Sequence, residues 1–443
     1  MHVACSVVSA VTVTCLAAGW HSGRMHAPKA YAVFFGWRVV AAAFVLAVFG
    51  WGVGFYGPPV FLHAVHETRH WPLLLVSTAV TVHFLVGAVV VANLPALHRR
   101  YGLPTITKAG AVSLALGVTG WANAFEPWQL VAAALLSGAG WVAMGAAAVN
   151  AIVAPWFVTT RPAALAMAYN GGSIGGVIFS PLWVATIGLL GFPLAAAFIG
   201  LAMVVTIWLL ADHLFACTPE QMGLLPDGAA FGARSPPIAT TSARPLPGAR
   251  IWRDVRFLTL AAGMALGLFA QIGLIAHLFS LLVPALGEQG AGLATGSATA
   301  FAIAGRTCVG WLLPAGADRR LVAGASYAVQ VAGSILLLLA GGENLPLLLF
   351  GVALFGLGFG NATSLPPLIA QIEFVQADVQ RIVALIIAVS QGSYAFAPAA
   401  FGAIRTLSAP VLQSPAGDAP LVFAAAACVQ ALAICCFLSG RRR

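Results

Sequence analysis

The sequence predicts an all-α membrane protein, with twelve transmembrane helices in two six-helix pseudo-repeat halves. Three observations carry this. Of the 443 residues, 60% are hydrophobic and 7% charged, whereas a soluble domain has about a quarter of its residues charged. Apolar runs of about 20 residues, the length that crosses a bilayer, recur twelve times between polar, Gly or Pro punctuation. Finally, RPAALAMAYNGGS (161–173) and RIVALIIAVSQGS (381–393) share an arginine, a leucine and a Gly-Ser pair at an offset of 220, and NAIVAP (150–155) is echoed by NATSLP (361–366).

The runs in order cover about 36–60, 73–96, 104–124, 129–153, 163–188 and 191–213, then 257–282, 291–315, 320–341, 344–370, 382–404 and 418–438. Twelve crossings put both termini on one side. With the termini inside, inner segments hold 18 of the 21 Lys and Arg, and outer loops hold only Arg69 and Arg405. Basic residues concentrate on the cytoplasmic face. The net charge of +9 therefore reads as topology and not as nucleic-acid binding. The expected location is the inner (plasma) membrane, with both termini cytoplasmic.

The Pro- and Arg-rich stretch 214–256 reads as a flexible cytoplasmic linker. It parts an N-terminal half, 25–213, from a C-terminal half, 257–443. Residues 1–24 are apolar without the basic lead of a secretory signal. Met25 offers a second start, so 1–24 is expected to be an upstream-start artefact or a dispensable segment. The seven cysteines show no CxxC or zinc spacing, and neither a metal nor a cofactor is expected. HAVHETRH (63–70) reads as an exposed loop between the first two spans. GGSIGG (171–176) lacks the Lys-Ser/Thr of a phosphate loop and reads as a close helix contact.

The spans hold no carboxylate near mid-membrane. Paired acids for acid–base catalysis are absent there, which argues against an enzyme. The polar side chains inside the spans are Tyr56, His83, Asn150, Asn170, Gln271, His277, Arg306, Asn361 and Gln391. Arg306, in SATAFAIAGRTCVGWLLPAG (297–316), stands apart. An arginine at the bilayer centre costs at least about 2.5–3.5 kcal/mol, and no fixed acid lies at its depth. One reading is a structural arginine reaching to helix-end carbonyls. The other is a cation facing a wet central cavity, where its planar fork of donors suits a substrate carboxylate. Tyr56, Asn361 and Gln391 are candidate hydrogen-bonding walls of that cavity. His83 and His277 are candidates for proton coupling, because histidine titrates near neutral pH; the alternative for each is a neutral, hydrogen-bonded ring.

FFGWRVVAAAF at span 1, WFVTTRPAALAMAYNGGSIGG across the 4–5 loop and TPEQMGLLPDG after span 6 resemble the major facilitator superfamily. More narrowly they resemble its monocarboxylate-porter and oxalate/formate-antiporter-like branch. The resemblance covers about residues 30–440. It implies the major facilitator fold, and it implies that Arg306, followed four residues later by Gly310, holds a substrate carboxylate. The inner-loop motif of the superfamily is degraded: NLPALHRRYG carries Arg99 where its aspartate stands, and GWLLPAGADRR carries Pro314. The branch's second cations are also missing, since Pro58-Pro59 and Gln391 stand where lysines would.

The expected function is secondary active transport of a small organic monoanion, a monocarboxylate, by alternating access, with the bilayer and possible protons as the other partners. Two alternatives stay open: an exporter of drugs or neutral metabolites in which Arg306 is structural, and a non-transporting sensor or scaffold.

Overall fold

The computed structural model describes residues 34–228, 251–312, 317–408 and 419–441. The expectation for residues 1–24 lies outside them, as does residues 229–250 of the expected linker. The described residues form helices and no strands. Span 1 is Phe35–Gly54 and Gly57–Arg69, span 2 Leu73–Tyr101, span 3 Leu103–Asn123, and span 4 Pro127–Ala143 and Ala146–Val153. Spans 5 and 6 are Arg161–Leu190 and Phe192–Leu210. Val255–Leu312 carries spans 7 and 8, parted at Gly287, whose φ of 66° and ψ of 171° interrupt the helix three residues after Pro284. Span 9 is Arg319–Ala340, span 10 Leu345–Phe359 and Leu365–Glu373, span 11 Gln376–Tyr394 and Ala397–Ser408, and span 12 Ala419–Ser439. Nine stretches among the described residues are long and apolar enough to cross a membrane. The second crossing in Val255–Leu312, span 3 and span 10 complete the twelve.

The two halves repeat one another in packing as well as sequence. In the first half span 3 packs on 4, 1 on 5, 2 on 4 and 3 on 6. The same pairs recur six spans later: 9 on 10, 7 on 11, 8 on 10 and 9 on 12. Between the halves, span 5 meets span 8 and span 2 meets span 11, and the second helix of span 1 meets span 7.

This junction is tightest toward the end away from the basic loops. A side chain at Gly292 or Gly296 would begin 3.3 or 3.2 Å from Pro181, and one at Gly402 would begin 2.5 Å from Ser77 Oγ. Thr81 Oγ1 accepts the Ala399 N–H across the seam at 3.1 Å, and His63 lies 3.9 Å from Glu288. Small residues allow this approach; we call it the closed end.

The basic end is tied differently. Arg320, 2% exposed, forks onto both Glu373 oxygens at 2.6 and 2.8 Å. It also reaches Thr259 Oγ1 and the Arg256 and Phe437 carbonyls, so spans 7, 9, 10 and 12 meet on one guanidinium. Asp318 caps span 9 and accepts Arg441 Nε at 2.6 Å. In the first half Lys108 pairs with Asp212. Asp227 accepts from the Val158, Thr159 and Thr160 N–H groups and from the Thr160 hydroxyl. The Arg320, Asp318 and Lys108 pairs each stay within one half, and Asp227 ties the start of the linker to the 4–5 loop of the first half.

Two sequence expectations change. His63–Arg69 is not loop but the end of span 1: no Gly or Pro falls between Pro59 and Pro72 to stop the helix, and it ends at His70, whose φ is 52°. Arg405 lies in the last helix of span 11, donating to Ser280 Oγ at 2.7 Å. Spans 1, 4, 10 and 11 are also each broken in two.

Candidate functional site

The site is built by helix breaks. In GFYGPPV, Pro58 and Pro59 offer no N–H to the Gly54 and Phe55 carbonyls, and their rings crowd them. Helix stops at Gly54, and Tyr56 N–H turns back to Trp51 O. His83 Nε2–H takes Gly54 O at 2.9 Å and Trp183 Nε1–H takes Gly52 O at 3.2 Å. His83 Nδ1 accepts the Ser137 hydroxyl at 2.8 Å, and the ring stacks on Trp141.

In GNATSLPPL the same device recurs. Pro366 and Pro367 break span 10, and the Ser364 and Leu365 N–H groups both turn to Asn361 O. Gly360 O is left without its helical donor, and Arg306 Nε–H takes it at 2.9 Å. Spans 8 and 10 lie backbone to backbone here: a side chain at Gly305 would begin 2.0 Å from Leu357 O, and one at Gly360 2.0 Å from Ala302 O. Gly360 therefore sits level with Ala302. That is one turn from Arg306 toward the closed end, the direction in which helical side chains lean.

Arg306 is half-buried, and its Nη1 and Nη2 have no hydrogen-bond partner among the described residues. Tyr56 lies close enough to interact electrostatically with it, and its hydroxyl meets Thr299. Beyond Tyr56 a narrow cavity runs toward the closed end between the halves. Spans 1 and 5 wall it with Tyr56, Val60 and Ser180, and spans 7, 8 and 10 with Leu278, Thr299 and Phe359. Arg306 lies beneath this cavity, not in its wall.

The structure thus brings Arg306 and Tyr56 within electrostatic reach of one another. Asn361 is 3% exposed and directly follows the carbonyl that Arg306 holds; its side-chain amide makes no hydrogen bond among the described residues. Gln391 is half-buried on the first helix of span 11, and no hydrogen bond joins it to Arg306 among the described residues. His83 is enclosed in the first half. His277 sits in the second: Nε2–H donates to Pro398 O at 3.0 Å, and Nδ1 faces Arg405 Nη1 at 3.4 Å. Both partners lie on span 11, whose other face meets span 2.

Sequence reasoning missed Thr299 and Phe359, which read as ordinary span residues. It also missed the breaks. The Pro58-Pro59 and Pro366-Pro367 pairs inside apolar runs were the available signal.

A family model of the Major Facilitator Superfamily matches residues 42–398. The chain belongs to the Major Facilitator Superfamily. Among solved structures, this facilitator is similar to the nucleoside transporter NupG, with a TM-score of 0.68 and 12% identity over 92% of this chain and 99% of that one. It is also similar to a bacterial homolog of the human lysosomal transporter Spinster, inward-facing and occupied, with a TM-score of 0.67 and 12% identity over 93% and 96%. A D-xylose–proton symporter gives a TM-score of 0.66 and 14% identity over 91% and 97%. At these identities the likeness is one of fold. No curated protein matches the chain by sequence. In this facilitator the Arg306 fork and the cavity above it lie where the two six-helix halves face one another.

Proposed function

We propose that this facilitator is a secondary transporter of a small organic monoanion, a monocarboxylate, which it binds at Arg306. One observation carries the reading. Arg306 spends only Nε on the protein, and its two terminal nitrogens, unpartnered among the described residues, lie beneath a cavity shared by both halves. A guanidinium edge of that kind fits the two oxygens of a carboxylate. Tyr56 and Asn361 supply hydrogen-bonding groups beside it, and Gln391, on span 11 of the same half, is a further candidate wall of the site.

The charge distribution supports an inner (plasma) membrane location with the basic end, and both termini, in the cytoplasm. The closed end then faces outward. Alternating access opens the closed seam and shuts the basic end. If a protein group carries a coupled proton, His277 is the better candidate, because it lies one layer behind the moving seam while His83 is locked inside one half.

The test is flux of a labelled monocarboxylate into proteoliposomes. Saturable flux that Arg306→Gln abolishes, with the variant folded in the bilayer, supports the reading; full flux by that variant refutes it. A second reading also rests on an observation: the bond to Gly360 O is what a structural arginine would make. On that reading the chain exports neutral or hydrophobic compounds, and Arg306→Gln leaves their flux intact.

A further inference from the structure

We infer that the cavity above Tyr56 is a site for one ordered water, held between the hydroxyls of Ser180 and Thr295, and that this water joins the two halves at the closed end. The inference is independent of what Arg306 binds.

Size comes first. The cavity has a volume of about 20 Å³. A buried water needs at least about 10–15 Å³ and two to four polar partners. Those partners stand on the walls. Ser180 of span 5 lines the cavity and is 3% exposed, and its hydroxyl makes no hydrogen bond among the described residues. Other span serines return their hydrogen to their own helix: Ser77 to Leu73 O, Ser280 to His277 O and Ser390 to Ile386 O. Ser180 keeps a donor for the cavity. Thr295 of span 8 also lines it and donates to the Ala291 and Gly292 carbonyls. A hydroxyl oxygen that has given its hydrogen away can still accept.

The two hydroxyls lie at one level of the seam. A side chain at Gly296 would begin 3.8 Å from Ser180 Cβ, and one at Gly292 3.4 Å from Ser180 O. Thr295 sits between those glycines in the sequence of span 8. Pro181 offers no N–H to Val177 O, and that carbonyl also faces span 8, 3.2 Å from where a side chain at Gly296 would begin. One turn toward Arg306, a side chain at Gly176 would begin 2.6 Å from the Tyr56 ring and 2.7 Å from the Thr299 methyl. The bulk of Tyr56 and Thr299 therefore floors the water site.

A water here accepts from Ser180 in the first half and donates to Thr295 in the second. A bridging water is nearly as good as a direct hydrogen bond. It exists only while spans 5 and 8 are together, so it favours the closed seam over the open one. The alternative predicts the opposite sign. Without a water, the buried Ser180 hydroxyl has no partner, which costs free energy in the closed state alone. Removing it would then tighten the seam.

The experiment compares the full-length protein in lipid nanodiscs with Ser180→Ala, Thr295→Val and the double variant. A density map that resolves ordered waters should show one peak within hydrogen-bond distance of Ser180 Oγ and Thr295 Oγ1, absent in both single variants. Hydrogen exchange read by mass spectrometry then follows the two ends. Each single variant should speed exchange at closed-end residues 288–296 by about twofold to tenfold, the span of one net hydrogen bond. Exchange at basic-end residues 318–322 should slow, because opening one end shuts the other. The double variant should match the single ones, since either change releases the same water. No peak between the hydroxyls, or a peak that survives both substitutions, overturns the inference. Unchanged or slower closed-end exchange in Ser180→Ala overturns it too. Faster exchange at both ends, or a double variant equal to the product of the singles, shows general loosening or separate effects and defeats the bridge.

Discussion

Arg306 does two jobs that substitution can separate. Its Nε, bonded to Cδ, fills the open carbonyl of Gly360, and Nη1 and Nη2 present the charge. Glutamine carries its amide nitrogen on Cδ as well, so Arg306→Gln keeps a donor where Nε stood while removing the fork and the charge. Lysine does the reverse: a methylene replaces Nε, and the charge remains. The magnitudes follow. Removing the charge relieves up to about 2.5–3.5 kcal/mol of membrane burial. Exchanging a charge-assisted bond for a neutral one gives back about 1–1.5 kcal/mol. Arg306→Gln should therefore be as stable as the parent, or more stable by about 1–2 kcal/mol. Arg306→Lys leaves Gly360 O without a donor and should lose about 1–3 kcal/mol. Thermal unfolding followed by tryptophan fluorescence in detergent, with and without pentanoate as a small monocarboxylate, reads both effects. The expected stability order without ligand is Gln, then Arg, then Lys, with ligand protection lost in Gln and weakened but present in Lys. A Gln variant less stable than the parent that still binds the acid would show the separation to be false.

Three other outcomes follow from the same geometry. His83→Phe removes the donor that closes Gly54 O, while the Ser137 hydroxyl can still turn to Ala134 O; it should cost about 1–3 kcal/mol, seen as a lower unfolding temperature. Arg320→Met, which strands Glu373, should destabilise by about 3–5 kcal/mol, and adding Glu373→Leu should recover much of that, measured as a double-mutant cycle. Asp227→Ala should speed amide exchange at Thr159 and Thr160, read by exchange mass spectrometry. In the parent, burial would raise the Asp227 carboxyl, but the Thr160 hydroxyl and the N–H groups of residues 158–160 outweigh it and hold the carboxyl well below the usual carboxylate range. The clasp is thus fully present above about pH 4, the unfolded value, and is lost only as pH falls through the depressed folded value. Protection corrected for intrinsic exchange should stay flat from pH 8 to pH 5.

Much of the fold was legible because a bilayer demands long apolar runs and leaves backbone polar groups no water to bond. Composition and run length located all twelve spans, although span 1 runs on to Arg69, well past its expected end near 60. The end of span 1 was misread because His63, His66, Glu67 and Arg69 look like loop. Polarity there reflects the interface, and helix continues for want of a breaker. Arg306 and Tyr56 were visible as polar exceptions in apolar spans, and the structure puts them within electrostatic reach of one another. The cavity above them was not visible. Its walls are common span residues, and only the crossing of five helices tells Leu278 or Phe359 from any lipid-facing leucine or phenylalanine. The open Gly360 carbonyl was not readable, since Pro366 and Pro367 orphan Ala362 and Thr363 directly and Gly360 loses its donor only because the Ser364 N–H turns to Asn361 O.

The bonds at the two ends explain how such a bundle moves without unfolding. At the basic end the strong ties, Arg320 to Glu373, Arg441 to Asp318 and Lys108 to Asp212, each join helices of one half, so that half keeps its shape whichever end is open. At the closed end the halves meet through glycines, Pro181, one Thr81–Ala399 hydrogen bond and a 3.9 Å His63–Glu288 contact. These are weak, short-range contacts that can part together. A ligand shifts such an equilibrium only as far as its affinity differs between the two states. A carboxylate held by Arg306 alone would be held equally in both, because Arg306 and its Gly360 tether lie in one half. The differential must come from contacts that reach both halves. These lie at the foot of the cavity, where Tyr56 of one half meets Thr299 and Arg306 of the other. On the proposed reading Arg306 supplies the grip, and the contacts that reach both halves, Tyr56 first, supply the coupling between occupancy and the closed seam.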